Sequence, residues 1–276
     1  MDSMSAEIIK SWSGYNIKYA LFDFDGTVSL IRQGWQDIMI PYFTEVLEET
    51  HSGETHEEIL SIVRDFVDTL TGKQTIFQCI RLDEEVIKRG GPHREPIEYK
   101  NEYLRRLSEK IADRKADLAS GKLPAEAWQV PGCSEFIRKL QEKGIKCYLA
   151  SGTDEEDVLY EAKLLKLDNA FEGGIHGAHA DMTECSKELV IRDMLTKENI
   201  QPNELVSFGD GYVEVLLVSE LGGLAIGAAT DEEKRCGVNE WKRNRLIKAG
   251  ANVIIPDFTE SDEIIDLITR SEGNAV

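Results

Sequence analysis

Two aspartates, Asp23 and Asp25, stand two residues apart at the end of a short apolar and aromatic run, and Gly26 and Thr27 follow them. In this arrangement Asp23 could attack a phosphorus atom, while Asp25 could protonate the leaving oxygen and later activate water. Backbone N–H groups and the hydroxyl of Gly26 and Thr27 could bind phosphate oxygens. A single aspartate after a strand most often only caps a turn. The combination Asp-x-Asp-Gly-Thr instead favours a site for phosphate chemistry.

The run at 17–24 must position these side chains, and it has the pattern of a buried strand that ends at a turn. Further runs of this kind lie at 145–150, 205–208 and 252–255, with a weaker one at 223–226. Helical apolar patterns separate them. Strands that alternate with helices predict a mostly parallel sheet covered on both faces. In such sheets ligands bind outside the carboxyl ends of the strands, which is where the two aspartates stand.

The segment 30–128 differs in kind, because it contains helical periodicities and no convincing strand. Four apolar stripes begin near residues 35, 59, 76 and 103, and Pro41 is expected to kink or break the first of them. We therefore expect a core domain formed by residues 1–29 and 129–276, with a helical domain of residues 30–128 inserted into it.

The sequence DFDGT resembles the first motif of the haloacid dehalogenase superfamily, and residues similar to its later motifs follow in order. Ser151, with Gly152 and Thr153, resembles the second motif, whose hydroxyl holds a phosphoryl oxygen. Lys187 resembles the lysine of the third motif, which neutralises the phosphate and the nucleophile. The resemblance implies an α/β fold with a Rossmann-like, mostly parallel sheet, helices on both faces and an inserted all-helical cap domain.

The sequence GDGYVE resembles the fourth, metal-binding motif. The resemblance implies that Mg²⁺ is the cofactor and that Asp23, the backbone carbonyl of Asp25, and Asp210 are its protein ligands. Magnesium prefers such oxygen ligands and keeps several waters. Glu214 matches the second acidic position of the motif, where Asp is frequent, so we expect its part in metal binding to be secondary.

An aspartate at position 25 argues against two reaction types of the family, because its dehalogenases and phosphonate-cleaving members lack this residue. The helical insertion resembles the cap of the phosphoglycolate phosphatase and β-phosphoglucomutase group. The expected activity is hydrolysis of a small phosphorylated metabolite, of the phosphoglycolate or sugar phosphate class, through an aspartyl-phosphate. A phosphomutase that uses the same intermediate is the alternative. A non-catalytic phosphate-binding or sensor protein also stays open, since receiver domains have a similar acidic pocket.

Specificity is expected to depend on residues of the insertion, where cationic groups could bind a carboxylate and polar groups could bind sugar hydroxyls. Two short segments supply the candidates: Arg32, Gln33 and Trp35, and then Lys73, Gln74 and Thr75. Trp35 also begins an apolar stripe, and Arg32 could be an ordinary solvated residue, so both interpretations stay open here.

Composition limits the classes of partner. The net charge of −19 repels polyanions, which argues against nucleic acid and anionic membrane surfaces. No apolar run approaches the roughly 20 residues that span a bilayer. The first residues lack the pattern of a signal peptide. Five cysteines without Cys-x-x-Cys spacing indicate reduced thiols, so we expect a cytoplasmic protein. His176 and His179 have no evident third ligand and predict a plain glycine-rich loop rather than a metal site.

Overall fold

The mixed and the all-helical parts of the chain form two separate units. The computed structural model describes residues 6–179, 186–197, 199–270 and 272–273. One unit comprises Met1–Gln33 and Arg114–Val276, and the other comprises Gly34–Asp113. The second unit is therefore shorter at both ends than the segment 30–128 that the sequence patterns outline.

The strands in the described part of the chain are β1 (Glu7–Ile8), β2 (Trp12–Ser13), β3 (Tyr19–Phe22), β4 (Lys146–Asp154), β5 (Ile175–Ala178), β6 (Leu205–Gly209), β7 (Leu224–Ala228), β8 (Val253–Ile255) and β9 (Glu272–Gly273). Seven of them form a sheet in the first unit, in the order β1-β8-β7-β6-β3-β4-β5. All neighbours pair in parallel except β1, which is antiparallel to β8. The short strands β2 and β9 form a separate antiparallel pair. The predicted α/β class with a mostly parallel sheet is confirmed.

The helices follow the apolar stripes of the sequence. Their bounds are α1 (Gln36–Glu48), α2 (His56–Leu70), α3 (Thr75–Lys88), α4 (Pro96–Ala119), α5 (Cys133–Glu142), α6 (Glu155–Leu164), α7 (Ser186–Lys197), α8 (Tyr212–Leu221), α9 (Glu240–Ala249) and α10 (Ser261–Thr269). None of those in the described part of the chain has the length and apolar character needed to span a bilayer.

The second unit consists of helices joined by short turns, and its described residues form no strand beyond one isolated bridge, as expected. Phe43 of α1 and Phe66 of α2 stack at its centre with their ring centroids 5.9 Å apart. Thr55 and Glu58 form a capping box that begins α2, because each side chain bonds the other residue's backbone N–H. The expected break at Pro41 is wrong, since α1 continues through it. Its missing N–H removes only one bond of the helix, and the buried apolar face of α1 stabilises the remainder.

A second correction concerns the segment predicted as a plain loop around His176. It contains β5, which pairs with β4 at one edge of the sheet formed by the described strands. Gly173 lies just before β5 and so close to Tyr148 that a Cβ there would be 2.3 Å from the ring. Glycines weaken a strand pattern locally, so this strand depends on packing that periodicity does not reveal.

Cysteine 185 lies outside the described residues. The four described cysteines are free thiols; Cys79, Cys133 and Cys147 are buried and Cys236 is exposed. This agrees with the expectation of reduced thiols for those four positions.

A cluster of aromatic rings packs against the middle strands of the sheet. Phe22 of β3 and Phe208 of β6 are paired in register and stack with their centroids 4.9 Å apart. Phe136 of α5 and Phe258 pack against both of these rings. All four side chains are fully buried. The residues that follow β3 and β6 therefore extend from well-packed strands.

Replacing Phe208 by alanine should lower the free energy of unfolding by about 3–5 kcal/mol, because it removes a buried ring from this cluster and leaves a cavity. Urea unfolding followed by circular dichroism measures the change. Leu159→Ala, at a side chain that is 46% exposed, is the control and should change stability by no more than about 0.5 kcal/mol. Equal effects of the two substitutions would contradict this account of the core.

Candidate active site

The site lies at the central strand β3, where the strand order changes direction: β4 and β5 are added on one side, and β6, β7 and β8 on the other. The central strand β3 has β4 on one side and β6 on the other, so the three strands end side by side. Asp23 comes directly after β3, Ser151 lies in β4, and Asp210 comes directly after β6. Ligands of open parallel sheets bind at such a switch point, outside the carboxyl ends of the strands.

Asp23 is held firmly at this point. Its amide donates to the carbonyl of Phe208 over 2.9 Å, and its Oδ1 accepts a 2.7 Å bond from the amide of Phe24. Only 6% of the residue is exposed. Burial raises the pKa of Asp23 well above its ordinary value, Lys187 opposes this, and Glu214 and Asp210 add to it. A cation beside Asp23 therefore has to stabilise the ionised form that a nucleophile needs.

Lys187, in the first turn of α7, is one such cation. Its Nζ lies 2.9 Å from Asp23 Oδ1 and 2.7 Å from Glu214 Oε2. Burial alone would lower the pKa of Lys187, but the carboxylates of Asp23 and Glu214 outweigh it and raise that pKa. The side chain thus stays an ammonium although it is 2% exposed.

Glu214 has both of its carboxylate oxygens engaged. Oε2 contacts Lys187, and Oε1 accepts a 3.1 Å bond from the amide of Gly211 at the start of α8. These contacts place Glu214 as the residue that orients Lys187 and caps the helix. Its expected part in metal binding stays a prediction.

Asp25 has the properties of a group that exchanges protons. Its Oδ2 accepts a 2.7 Å bond from the hydroxyl of Thr153, whereas its Oδ1 has no hydrogen-bond partner among the described residues. The Nε of Arg32 lies 4.0 Å from Oδ1. Although 28% of the side chain is exposed, desolvation raises the pKa of Asp25 to about 6; Arg32 opposes this and Glu161 adds to it. Such a carboxyl can give and take a proton near neutral pH.

Gly26 and Thr27 shape the turn between the two aspartates and Asp210. Gly26 has a φ of +76°, and a Cβ there would lie 2.1 Å from Asp210 Oδ2. The Thr27 hydroxyl accepts a 2.9 Å bond from the amide of Asp210, while the amide of Gly26 donates to Ser29. These groups hold the loop that carries Asp210 against the turn. The expected contacts of Gly26 and Thr27 with phosphate stay a prediction.

The second-motif residues lie beside Asp25. Ser151 is 1% exposed, and its Oγ accepts a 3.1 Å bond from the amide of Thr153. Gly152 between them is half-buried in the last part of β4. The contact from Thr153 to Asp25 is one that the sequence did not predict.

Arg32 is buried rather than solvated. Its guanidinium bonds the carboxylate of Glu161, which is fully buried, and its Nη2 lies 2.8 Å from Asp157. Gln33 follows it, half-buried, and its carbonyl accepts a 2.8 Å bond from Arg114. The other candidates belong to the second unit: there Lys73 is exposed, Gln74 is buried, and Trp35 and Thr75 are half-buried.

Two residues of this region escaped the sequence reasoning. Lys242 Nζ lies 2.7 Å from Asp210 Oδ2 and 2.5 Å from Glu232 Oε1. Glu232 follows β7, whose carboxyl end is at the same edge of the sheet, and that position was a usable signal. Lys242 lies on α9, and nothing in its local sequence distinguishes it from a surface lysine.

The donor set fits magnesium. In the described part of the chain no three His, Cys, Asp or Glu side chains converge in a metal-binding group. Magnesium, however, is usually held by one or two carboxylates and several waters. Asp23 and Asp210 offer two such carboxylates, and the charge of Asp210 adds to the raised pKa of Asp23. The family resemblance implies the carbonyl of Asp25 as a third oxygen. A divalent cation would relieve their repulsion.

Substituting Gly26 by alanine tests how closely the turn and Asp210 are joined. A left-handed backbone alone costs an alanine about 1–2 kcal/mol, and here the methyl group also displaces the Asp210 carboxylate. Gly14→Ala is a matched control, because Gly14 has a φ of +77° and nothing within 4 Å of its Cβ position. Urea unfolding should show a larger loss of stability for Gly26→Ala than for Gly14→Ala. Equal losses of stability would mean that the loop carrying Asp210 moves aside at no cost and is not tightly packed against the turn.

Comparison with known proteins identifies a family and several similar folds. The family model for haloacid dehalogenase-like hydrolases matches residues 17–217. No curated protein sequence matches the chain.

Solved structures share the fold at low sequence identity. A predicted phosphoglycolate phosphatase from Haemophilus somnus 129PT superposes with a TM-score of 0.59 at 14% identity, over 90% of this chain and 98% of that one. The β-phosphoglucomutase of Clostridium difficile gives 0.59 at 12% identity, over 92% and 100%. A CbbY variant from Rhodobacter sphaeroides in complex with xylulose 1,5-bisphosphate gives 0.53 at 18% identity, over 88% and 96%.

Proposed function

Since this chain belongs to the haloacid dehalogenase-like hydrolases, we propose that it is a magnesium-dependent phosphatase acting on a small phosphorylated metabolite. The observation that carries the proposal is the meeting of Asp23, Asp25 and Asp210 at the ends of adjacent strands, with Lys187 2.9 Å from Asp23. Phosphoryl transfer depends mainly on positioning and on neutralising the charge of the phosphoryl oxygens, and these residues supply both.

In the first step a carboxylate oxygen of Asp23 attacks the phosphorus atom, and the bond from phosphorus to the leaving oxygen breaks. Asp25 donates its proton to that oxygen, so an alcohol leaves and an aspartyl-phosphate forms on Asp23. A pKa near 6 suits Asp25 to this exchange. Lys187 neutralises negative charge next to the nucleophile throughout.

In the second step a water molecule attacks the phosphorus atom of the aspartyl-phosphate. Asp25, now ionised, accepts the proton of that water, and the bond from phosphorus to Asp23 breaks to release inorganic phosphate. The hydrogen bond from Thr153 keeps the Asp25 carboxyl oriented in both steps. Ser151, with Gly152, is our candidate for holding a phosphoryl oxygen, and Gly26 and Thr27 complete the turn around it.

Magnesium, when bound by Asp23, the Asp25 carbonyl and Asp210, supplies positive charge that offsets the phosphoryl oxygens. Glu214 supports the site indirectly, because it orients Lys187. Without these cations, a dianionic substrate would face a group of carboxylates in a protein whose net charge is −19.

We assign the choice of substrate to the helical segment 30–128, as a cap. Our candidates for contacts with the rest of the substrate are Arg32, Gln33 and Lys73, which could bind a carboxylate or sugar hydroxyls. Arg32 would have to exchange one of its carboxylate partners, Glu161 or Asp157, to bind a substrate carboxylate. The names of the similar structures, a phosphoglycolate phosphatase and a β-phosphoglucomutase, support a substrate of the phosphoglycolate or sugar phosphate class.

Hydrolysis of p-nitrophenyl phosphate is the first test of this proposal. Turnover should require magnesium and disappear with a chelator. Asp23→Asn should reduce kcat by at least about 10³-fold because it removes the nucleophile, and Asp25→Asn by about 10²–10⁴-fold. The control is Asp266→Asn, at an exposed position of α10, which should retain wild-type activity. Metal-independent turnover, or activity retained in Asp23→Asn, would refute the mechanism.

A phosphomutase is the second candidate, favoured by the fold shared with β-phosphoglucomutase. It would transfer the phosphoryl group of Asp23 back to a bound sugar instead of to water. Incubation with sugar 1-phosphates, with and without a sugar bisphosphate, separates the two by ³¹P NMR. A phosphatase should release inorganic phosphate equal to the substrate lost. Isomerised sugar phosphate that forms only with the bisphosphate would establish the mutase instead.

A further inference from the structure

Lys242 makes two close contacts with carboxylates that no sequence motif foreshadows. Its Nζ lies 2.7 Å from Asp210 Oδ2 and 2.5 Å from Glu232 Oε1, and 8% of the residue is exposed. An ammonium group is therefore in contact with one of the two carboxylates that we assign to magnesium.

The backbone fixes the position of Lys242 within the fold. Between β7 and α9 the chain forms a loop that is closed at its base, because the amide of Asn239 donates to the carbonyl of Ala229 over 2.7 Å. The side chain of Asn239 then caps α9 by accepting a 3.1 Å bond from the amide of Lys242. Lys242 is thus anchored in the first turn of α9.

Glu232 comes from the same loop and faces the same point. A Cβ on Gly26 would lie 2.1 Å from Asp210 Oδ2 and 3.1 Å from Glu232 Oε1. The two carboxylates therefore meet above the turn that joins Asp25 to Thr27, and the Lys242 ammonium joins them there. An ammonium has three donors, and contacts with two carboxylates make it a poor site for a substrate anion.

We propose that Lys242 and Glu232 form a latch on Asp210. The Lys242 ammonium competes with magnesium for the Asp210 carboxylate, and Glu232 weakens this competition because it attracts the same ammonium. The inference rests on the proposed function, because it takes Asp210 as a metal ligand. Two cations on one carboxylate repel each other strongly in a partly buried site. Lys242 thereby sets the magnesium concentration at which the site fills, and it neutralises Asp210 while the metal is absent.

Magnesium binding without substrate tests the latch directly. Isothermal titration calorimetry of the full chain with MgCl₂ should give at least about tenfold tighter binding for Lys242→Met than for the wild type, since a competing charge is lost. Glu232→Gln should weaken binding several-fold, because the ammonium then stays on Asp210. Lys234→Met is the matched control: Lys234 pairs with Asp231 at 2.6 Å on the exposed part of the same loop, and its loss should leave the affinity unchanged.

The opposite signs expected for the two variants separate a latch from a structural anchor. An anchor would make Lys242→Met bind magnesium more weakly or equally, and that result in a folded variant would overturn the latch while the proposed function stands. If Lys242→Met does not fold, Glu232→Gln alone decides: unchanged or tighter binding overturns the latch. Absence of magnesium binding in the wild type would overturn both the latch and the proposed metal chemistry.

Discussion

The interaction on which the site depends is the ion pair of Lys187 with two buried carboxylates. Asp23 and Glu214 lie 2.9 and 2.7 Å from its ammonium, and all three residues are at most 6% exposed. A charge taken out of water costs several kcal/mol unless it is paired with good geometry. Lys187 therefore stabilises the ionised forms of both Asp23, at the end of β3, and Glu214, in the first turn of α8. The two carboxylates in turn fix the position of the lysine.

Strand register places these groups more than loop conformation does. Phe22 is in register with Leu149 on one side and Phe208 on the other, so the residues that follow emerge at the same level of the sheet. Asp23 is the first residue past its strand, and Asp210 is the first past β6. A site supported by packed strands keeps its groups within the small tolerances that catalysis requires.

The sequence indicated the five strands β3, β4, β6, β7 and β8, the fold class and the candidate residues of this edge, because each candidate stands where a strand ends or a helix begins. What it could not indicate depends on contacts between distant segments. Glu161 and Arg32 are 129 residues apart, and Asp210 and Lys242 are 32 residues apart. The edge strand β5 escaped for the same reason, since it is defined by its pairing with β4 and by the close approach of Gly177 to Glu155 of α6. Local pattern identifies where a polar residue stands but not which charge it meets.

The balance of charge around the site gives a physical reason for a divalent cation. In the described residues seven carboxylates are linked to four cations at this edge: Asp23, Asp25, Asp157, Glu161, Asp210, Glu214 and Glu232, against Arg32, Lys115, Lys187 and Lys242. Every one of these cations already contacts a carboxylate. An incoming phosphate dianion therefore finds no uncommitted positive charge among them, and a further cation must enter with it or before it. The oxygens of Asp23 and Asp210 suit magnesium. The carboxylates that repel the substrate therefore also provide the ligands for the cation that allows the substrate to bind.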